Sequence, residues 1–181
     1  FIADYHSLTT CRDPQALRDQ VRETAVSYLA MGLDPERAIL FRQSDVPEVT
    51  EISWLLSCVT GMGLLERAHS YKDKVSRGLE ASHGLFAYPV LMAADILIVR
   101  ADKVPVGKDQ KQHVEMARDI AQRFNHHFGE HFVLPEAVVD DDVAVLQGLD
   151  GRKMSKSYNN AIPLFLPPKQ LQKHVNRIKT N

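Results

Sequence analysis

The chain has 181 residues, with 22 Lys and Arg against 23 Asp and Glu, which gives a formal net charge of −1. A chain of this length can bury one good core, so we expect one domain and at most part of another. The near-neutral charge excludes a global polycation, and any contact with nucleic acid must therefore come from a local patch.

The cysteine content and the hydropathy pattern exclude further classes. Cys11 and Cys58 stand alone, which argues against a zinc site or a disulfide framework and fits a reducing cytoplasm. No apolar run approaches the ~20 residues of a membrane span. We therefore expect a cytoplasmic protein with no membrane partner.

The first 41 residues predict a β-α-β unit. Residues 1–6 have the apolar pattern of a buried strand. Asp13 and Pro14 supply the cap and first turn of a helix, whose apolar residues recur every four positions until Gly32. Residues 38–41 form a second short apolar strand. This order predicts a parallel pair of strands with a right-handed crossover.

A second helix is predicted from Pro47, and the segment that follows it has two interpretations. Residues 61–63, Gly-Met-Gly, are interpreted as the end of this helix. A dinucleotide fingerprint is excluded because no strand precedes them and no third glycine follows at the required spacing. Residues 71–84 lose all periodicity and form either a solvated connector or a mobile loop that reaches a ligand phosphate. Periodicity alone favours the connector.

Residues 85–99 form an almost wholly apolar helix with one carboxylate, Asp95, in its middle. Burying an unpaired ionised carboxylate costs several kcal/mol. Asp95 therefore either faces water or is the single acceptor at the base of an apolar pocket. Tyr88, Met92 and Asp95 fall at i, i+4 and i+7 and can line one helical face. Such a pocket suits a flat apolar ligand that carries one N–H or O–H donor.

Residues 104–106 predict a strand that turns through Gly107 into a helix ending near His126. In an open parallel sheet, ligands bind at the carboxyl ends of strands and beside helix N-termini. Asp109 can accept hydrogen bonds from ribose hydroxyls, and Gln110 can donate and accept. Asp is also a common helix cap, so this short motif leaves both roles open.

The carboxyl-terminal third contains a histidine cluster, an acidic turn at 140–142 and a last short strand at 143–146. His126, His127, Glu130 and His131 suggest a metal site, but Gly129 interrupts the helix inside this cluster. We therefore expect no metal ligands here.

Residues 151–157, Gly-Arg-Lys-Met-Ser-Lys-Ser, are named here the lysine loop. Two ammonium groups three residues apart alternate with hydroxyls, and such a loop can wrap a polyphosphate. On composition alone an ordinary basic surface loop is the commoner explanation.

The string K-M-S-K-S resembles the signature loop of class I aminoacyl-tRNA synthetases, and the chain as a whole resembles their bacterial tryptophanyl family. The matching strings include A-D-Y-H near the start, Y-P-V-L-M-A-A-D-I-L around Asp95, V-P-V-G-K-D-Q-K-Q-H at 104–113 and A-R-D-I-A-Q-R-F-N at 117–125. The two middle strings are far more specific than the lysine loop, which many class I enzymes share.

The resemblance implies an α/β fold, namely the Rossmann-like parallel sheet of class I synthetases with flanking helices. It assigns residues 1–160 to the catalytic domain and residues 161–181 to the start of a C-terminal helical region. The family's first strand, with its ATP-contacting glycine turn, and its anticodon-reading helical domain would be missing. We therefore expect this polypeptide to be inactive by itself.

The resemblance also implies roles for individual residues. Asp95 would accept the indole N–H of tryptophan, between walls formed by Tyr88, Met92, Ile96, Val104 and Val106. His6 and Gln110 would lie near the polar end of the amino acid. ATP would be held by Gly107, Lys108, Asp109 and Val145, and by Lys153, Met154, Ser155, Lys156 and Ser157 of the lysine loop. Lys72 and Lys74 match family lysines on the mobile connector, and Lys74, Lys153 and Lys156 are the catalytic candidates.

The implied function is a tryptophan–tRNA ligase that uses ATP with Mg²⁺ held mainly by the phosphates. Its partners would be L-tryptophan, ATP and tRNA(Trp), and the full-length enzyme would be a homodimer. A tyrosyl-type enzyme, which usually carries Gln where Met92 stands, is one alternative. Another class I adenylate-forming enzyme and a non-catalytic synthetase-like binding module are the others.

Overall fold

The computed structural model describes residues 1–68, 71, 82–139, 147–152, 154, 158, 160–163 and 165–178. The chain forms two compact units, Phe1–Val139 and Asp140–Asn181. None of the described helices is both long and apolar enough to cross a membrane.

The first six residues do not form the predicted strand. Ile2 makes one parallel bridge to Arg42, with its N–H donating to Phe41 and its C=O accepting from Gln43 at 2.8 and 2.9 Å. The chain then turns into helix α1 (Asp4–Ser7). Residues 38–41 also form no strand, so the predicted parallel direction is confirmed but the pairing is one bridge long. The turn is early because the buried Asp4 carboxylate accepts hydrogen bonds from Ser44 and from its own neighbour Tyr5.

Helix α2 (Pro14–Ala30) begins where the sequence predicts. The Asp13 carboxylate accepts from the N–H groups of Gln15 and Ala16 at 2.8 and 3.3 Å, which caps the first turn. The chain leaves the helix at Gly32, whose φ is +98°. No residue of α2 is fully buried.

The core of the first unit lies between helices α3 (Glu48–Ser57), α5 (His83–Ile98) and α6 (Lys111–Phe128). Leu56, Leu97 and Ile120, one from each helix, are fully buried. Full burial of a leucine or isoleucine side chain stabilises a fold by about 1.5–3 kcal/mol. Helix α5 therefore has a fixed position, and the face that carries Asp95 is fixed with it.

The predicted helix end at Gly61 is wrong. Helix α3 ends at Ser57, and Gly61 is the N-cap residue of a further short helix, α4 (Met62–Glu66). The hydroxyl of Thr60 donates to the carbonyl of Leu56 at 2.8 Å.

Two parallel strands, β1 (Lys103–Pro105) and β2 (Glu136–Val138), flank helix α6 in the chain. Their register pairs Val104 with Ala137. Strand β1 confirms the prediction to within one residue, whereas β2 was not predicted. A 3₁₀ turn (Lys108–Gln110) leads from β1 into α6, and Gly129 ends α6 with a φ of +97°, near the predicted positions.

The second unit contains helix α7 (Pro168–Val175), which lies within residues 161–181, where the resemblance implies the start of a helical region. The predicted acidic turn at 140–142 and the predicted strand at 143–146 lie outside the described residues.

Candidate functional site

A cavity of about 400 Å³ opens in the first unit between helix α5, strand β1 and the start of the chain. Most of its surface is apolar, and Asp95 is the one carboxylate among the described residues that line it. The lining residues are Phe1, His6, Tyr88, Met92, Asp95, Ile96, Val99, Ala101, Lys103, Val104 and Pro105.

Asp95 faces inward, because only 9% of its surface is exposed. Two side chains compensate for its burial. The amide Nε2 of Gln43 lies 2.8 and 2.9 Å from the two carboxylate oxygens, and Nε2 of His6 lies 2.9 Å from Oδ2. Since a carboxylate only accepts hydrogen bonds, Nε2 of His6 carries a proton in this contact. A charge that is buried and hydrogen-bonded in this way is a stable part of a site.

The two partners of Asp95, His6 and Gln43, are positioned by hydrogen bonds between residues 2–4 and residues 41–44. Ile2 pairs with Phe41 and Gln43 through its backbone. The N–H of Ser44 donates to Oδ1 of Asp4 at 3.0 Å, and its hydroxyl donates to Oδ2. These bonds tie the segment before His6 to the segment that carries Gln43, so both side chains reach Asp95 from a fixed backbone.

Tyr88 forms one wall of the cavity and is itself held in place. Its hydroxyl lies 2.6 Å from Nε2 of the buried His113, and its ring meets the ring of His6 edge-on, with centroids 6.2 Å apart. Tyr88, Met92 and Asp95 all line the cavity, as the helical spacing predicts. The cavity wall formed by Tyr88, Met92 and Asp95 is therefore built on helix α5, whose position is fixed.

Of the eight residues predicted to bind the amino acid, six line the cavity. They are His6, Tyr88, Met92, Asp95, Ile96 and Val104. Val106 instead packs against the hydrophobic core, and Gln110 donates to Oδ2 of Asp109 at 3.0 Å. Neither of these two residues is part of the cavity lining.

Gln43 and His113 were missed by the sequence reasoning. Gln43 directly follows the apolar segment 38–41 and its bridge residue Arg42, at the carboxyl end of a predicted parallel strand. That is where ligand-binding residues of such sheets lie, and this signal could have identified it. His113 carries no comparable signal in the sequence.

The predicted ATP-side residues begin immediately after strand β1. A Cβ atom on Gly107 would lie 2.8 Å from Oδ1 of Asp109, so this carboxylate approaches the backbone closely and would have to shift if a larger residue replaced the glycine. Lys108 and Asp109 form the 3₁₀ turn with Gln110 at the amino end of helix α6. The turn presents charged and polar groups beside a helix N-terminus.

In the second unit, four residues that we name the loop clasp join the two ends of the lysine loop. They are Gly148, Asp150, Arg152 and Asn160. Oδ1 of Asp150 accepts from the side-chain amide of Asn160 at 2.7 Å and from the backbone N–H of Arg152 at 3.0 Å. Hydrogen bonds from Asn160 first, and from Arg152 in addition, lower the pKa of Asp150 to about 2. Within the lysine loop, Met154 is described and half-buried.

The other predicted phosphate-side residues lie outside the described residues. They are Lys72, Lys74, Val145, Lys153, Ser155, Lys156 and Ser157. Among the residues that the structure does describe, no three His, Cys, Asp or Glu side chains come close enough to hold a metal ion together.

Comparison with solved structures gives the class of the fold. Tryptophanyl-tRNA synthetase from Campylobacter jejuni, solved with ADP and tryptophan, is 56% identical with a TM-score of 0.95, over 100% of this chain and 57% of that one. Tyrosyl-tRNA synthetase from Archaeoglobus fulgidus, solved with L-tyrosine, has a TM-score of 0.76 at 23% identity and shares the fold alone. These likenesses confirm the predicted class I synthetase fold.

The family of class I tRNA synthetases for tryptophan and tyrosine matches residues 1–181, and the chain belongs to this family. It is 58% identical to tryptophan–tRNA ligase of Pseudomonas aeruginosa, over 100% of this chain and 43% of that protein. It is 53% identical to tryptophan–tRNA ligase of Neisseria meningitidis, over 100% of this chain and 56% of that protein. The chain thus spans about half the length of the curated relatives that it matches.

Proposed function

We propose that the protein containing this chain is a cytoplasmic tryptophan–tRNA ligase. It activates L-tryptophan with ATP to tryptophanyl-adenylate and transfers the amino acid to tRNA(Trp). The observation that carries the proposal is the buried Asp95 carboxylate at an apolar cavity, in a chain 58% identical to a tryptophan–tRNA ligase.

The cavity suits an indole ring with its one N–H donor. The ring lies between Tyr88, Met92 and Val104, and its N–H donates to Asp95. A site built around one buried hydrogen bond rejects ligands that lack the matching group by orders of magnitude. A thioether and aliphatic walls offer little to a phenol or to a second polar group, which favours tryptophan over tyrosine.

The chemistry of the first step follows from charge. The tryptophan carboxylate is already ionised, so its oxygen forms a bond to the α-phosphorus of ATP without a general base. The bond from that phosphorus to pyrophosphate breaks. Lys74, Lys153 and Lys156 neutralise the charge that develops on the phosphoryl groups and on the leaving pyrophosphate.

The remaining predicted residues position the two substrates. His6 and Gln110 lie near the polar end of tryptophan, while Gly107, Lys108 and Asp109 hold the ribose and phosphate side of ATP. Val145 contacts the adenine, and Met154, Ser155 and Ser157 contribute to closure of the lysine loop over the pyrophosphate. In the second step, a terminal ribose hydroxyl of tRNA attacks the mixed anhydride, and correct positioning supplies most of the acceleration.

Mg²⁺ enters this proposal with ATP. An all-protein Mg²⁺ site needs several converging oxygen ligands, and none of the described residues form such a cluster. The phosphates of ATP are therefore proposed to hold most of the ion's coordination. The full-length enzyme is proposed to act as a homodimer.

Asp95→Ala in the full-length protein tests the proposal through tryptophan-dependent ATP–pyrophosphate exchange. We expect kcat/KM for tryptophan to fall by at least about 100-fold, because a site built for this hydrogen bond loses it. The KM for ATP should stay unchanged. Asp119→Ala, which removes an exposed carboxylate from helix α6, is the matched control and should retain full exchange.

Other outcomes of the same assay identify the alternatives. Exchange that depends on tyrosine indicates the tyrosyl-type enzyme, and exchange that depends on neither amino acid indicates another adenylate-forming activity. A full-length protein that binds tryptophan but shows no exchange is a binding module, and the proposed activity is then wrong.

A further inference from the structure

We infer that Gln43 is a positioning residue that aims the one open acceptor site of Asp95 at the cavity, and that it thereby sets the selectivity for a ring N–H. This inference rests on the proposed function and assigns part of its specificity to a residue outside the cavity lining.

The contact between Gln43 and Asp95 is buried and symmetrical. Gln43 has no exposed surface, and its Nε2 lies at nearly equal distances, 2.8 and 2.9 Å, from the two oxygens of the carboxylate. A donor in that position lies near the axis of the carboxylate and bonds both oxygens at once. The plane and direction of the carboxylate are therefore fixed by a single amide.

The orientation of the Gln43 amide follows from charge. If the amide were turned over, its oxygen would face an ionised carboxylate, and two acceptors would repel each other. With Nε2 towards Asp95, Oε1 of Gln43 is buried and has no hydrogen-bond partner among the described residues. Buried polar atoms nearly always have a hydrogen-bond partner. The unpartnered Oε1 therefore indicates that the hydrogen bond from Nε2 to Asp95 determines how the amide is oriented.

Counting acceptor directions shows what remains for a ligand. An ionised carboxylate offers about four lone-pair directions, two on each oxygen. Gln43 takes one on each oxygen, and His6 takes another on Oδ2. The direction that remains is on Oδ1, and no described residue donates to it. Asp95 thus offers the cavity one acceptor site, which matches a ligand with a single N–H.

The backbone around Gln43 makes this arrangement rigid. Its N–H donates to the carbonyl of Ile2 at 2.9 Å, and its side chain cannot turn in a fully buried site. The terminal torsion of an aspartate is otherwise broad and two-fold. Without Gln43, His6 alone holds one oxygen, and the carboxylate is free to rotate away from the ligand.

Gln43→Met in the full-length protein tests the inference, because it keeps the length of the side chain and removes the donor. The assay compares kcat/KM for L-tryptophan with kcat/KM for 3-(3-benzothienyl)-L-alanine, in which sulfur replaces the ring N–H. We expect the ratio of the two to fall about 10-fold, while the value for the sulfur analogue changes less than about two-fold. Val49→Ala, a buried change in neighbouring helix α3, is the control for stability and should leave the ratio unchanged.

Equal losses for both amino acids would show that Gln43 only supports the fold, and the inference would be overturned. Wild-type protein without tryptophan-dependent exchange would overturn the proposed function itself, which distinguishes the two failures. If Gln43→Met does not fold, Gln43→Leu replaces it, because it also removes the donor and leaves a smaller apolar side chain in the buried site. The ratio should then fall by a similar factor, and an unchanged ratio would contradict the inference.

Discussion

The side-chain amide of Asn160 donates to Oδ1 of Asp150 at 2.7 Å, and this bond joins residues that lie ten positions apart on either side of the lysine loop. A backbone hydrogen bond joins the same two ends of the loop, since the N–H of Leu149 donates to the carbonyl of Asn160 at 2.9 Å. Both ends of the loop therefore start from one fixed point. The clasp requires a residue without a side chain at Gly148, where Asn160 passes close to the backbone.

Gly148→Ala should open the loop clasp. A Cβ atom at this position would overlap the side-chain amide of Asn160 and lie 2.8 Å from its backbone carbonyl, so Asn160 must move away from Asp150. We expect trypsin to cut at Lys153 and Lys156 several-fold faster in this variant. Gly63→Ala is the matched control, because a Cβ there meets nothing within 4 Å, and its cleavage rate should equal that of the wild type.

The same clasp predicts a pH dependence. Hydrogen bonds from Asn160 and Arg152 lower the pKa of Asp150 from 3.8 to about 2. A lowered pKa stabilises the folded clasp above about pH 4, and this contribution is lost as the pH falls towards 2. A carboxyl-detected NMR titration should give a midpoint near 2 for Asp150, and Asn160→Ala should raise it. A wild-type midpoint near 3.8 would contradict the clasp.

Lys156→Ala should separate transition-state stabilisation from substrate binding. Our proposal assigns this ammonium group to the additional negative charge that develops on the leaving pyrophosphate as its bond to the α-phosphorus breaks. We expect adenylate formation to slow by about 10²–10³, whereas the Kd for tryptophan stays within about two-fold. Rapid-quench kinetics give the first value and equilibrium dialysis the second, and equal losses in both would refute the role. Lys169→Ala in helix α7 controls for the removal of a positive charge.

Asn125→Ala should destabilise the first unit. The buried Asn125 side chain donates to the carbonyl of Phe132 at 2.7 Å and accepts from the N–H groups of Phe132 and His131 at 2.9 and 3.1 Å. Each of these three bonds is worth about 0.5–1.5 kcal/mol, so we expect their loss to lower the free energy of unfolding by about 2–4 kcal/mol. Urea denaturation measures this fall. Gln122→Ala, an exposed change on the same helix, should stay within about 0.5 kcal/mol of the wild type.

Local patterns were sufficient to predict the helix that carries Asp95 and the face that Asp95 shares with Tyr88 and Met92, but they left open whether Asp95 faces water or a pocket. The apolar run and the spacing of Tyr88, Met92 and Asp95 are properties of adjacent turns, which sequence periodicity reports directly. The cost of burying a carboxylate also indicated that Asp95 needs partners. The identity of those partners could not be predicted, because His6 and Gln43 lie 89 and 52 positions away in the chain.

Short elements account for the errors in the predicted fold. Strand β2 has only three residues, which is too short for its sequence to show an alternating pattern. The predicted first strand fails because the carboxylate of Asp4 binds Ser44, forty positions away, and the backbone turns into helix α1. In both cases, tertiary hydrogen bonds decide the backbone path, and local propensity does not report them.

Helix α2 has no fully buried side chain, whereas eight residues of helix α5 are buried. Amide protons in α2 should therefore exchange with deuterium through local opening, long before those of α5, which need global unfolding. The two helices would belong to different cooperative units. Thermal fluctuations would then release α2 while the helix that carries Asp95 keeps its native conformation.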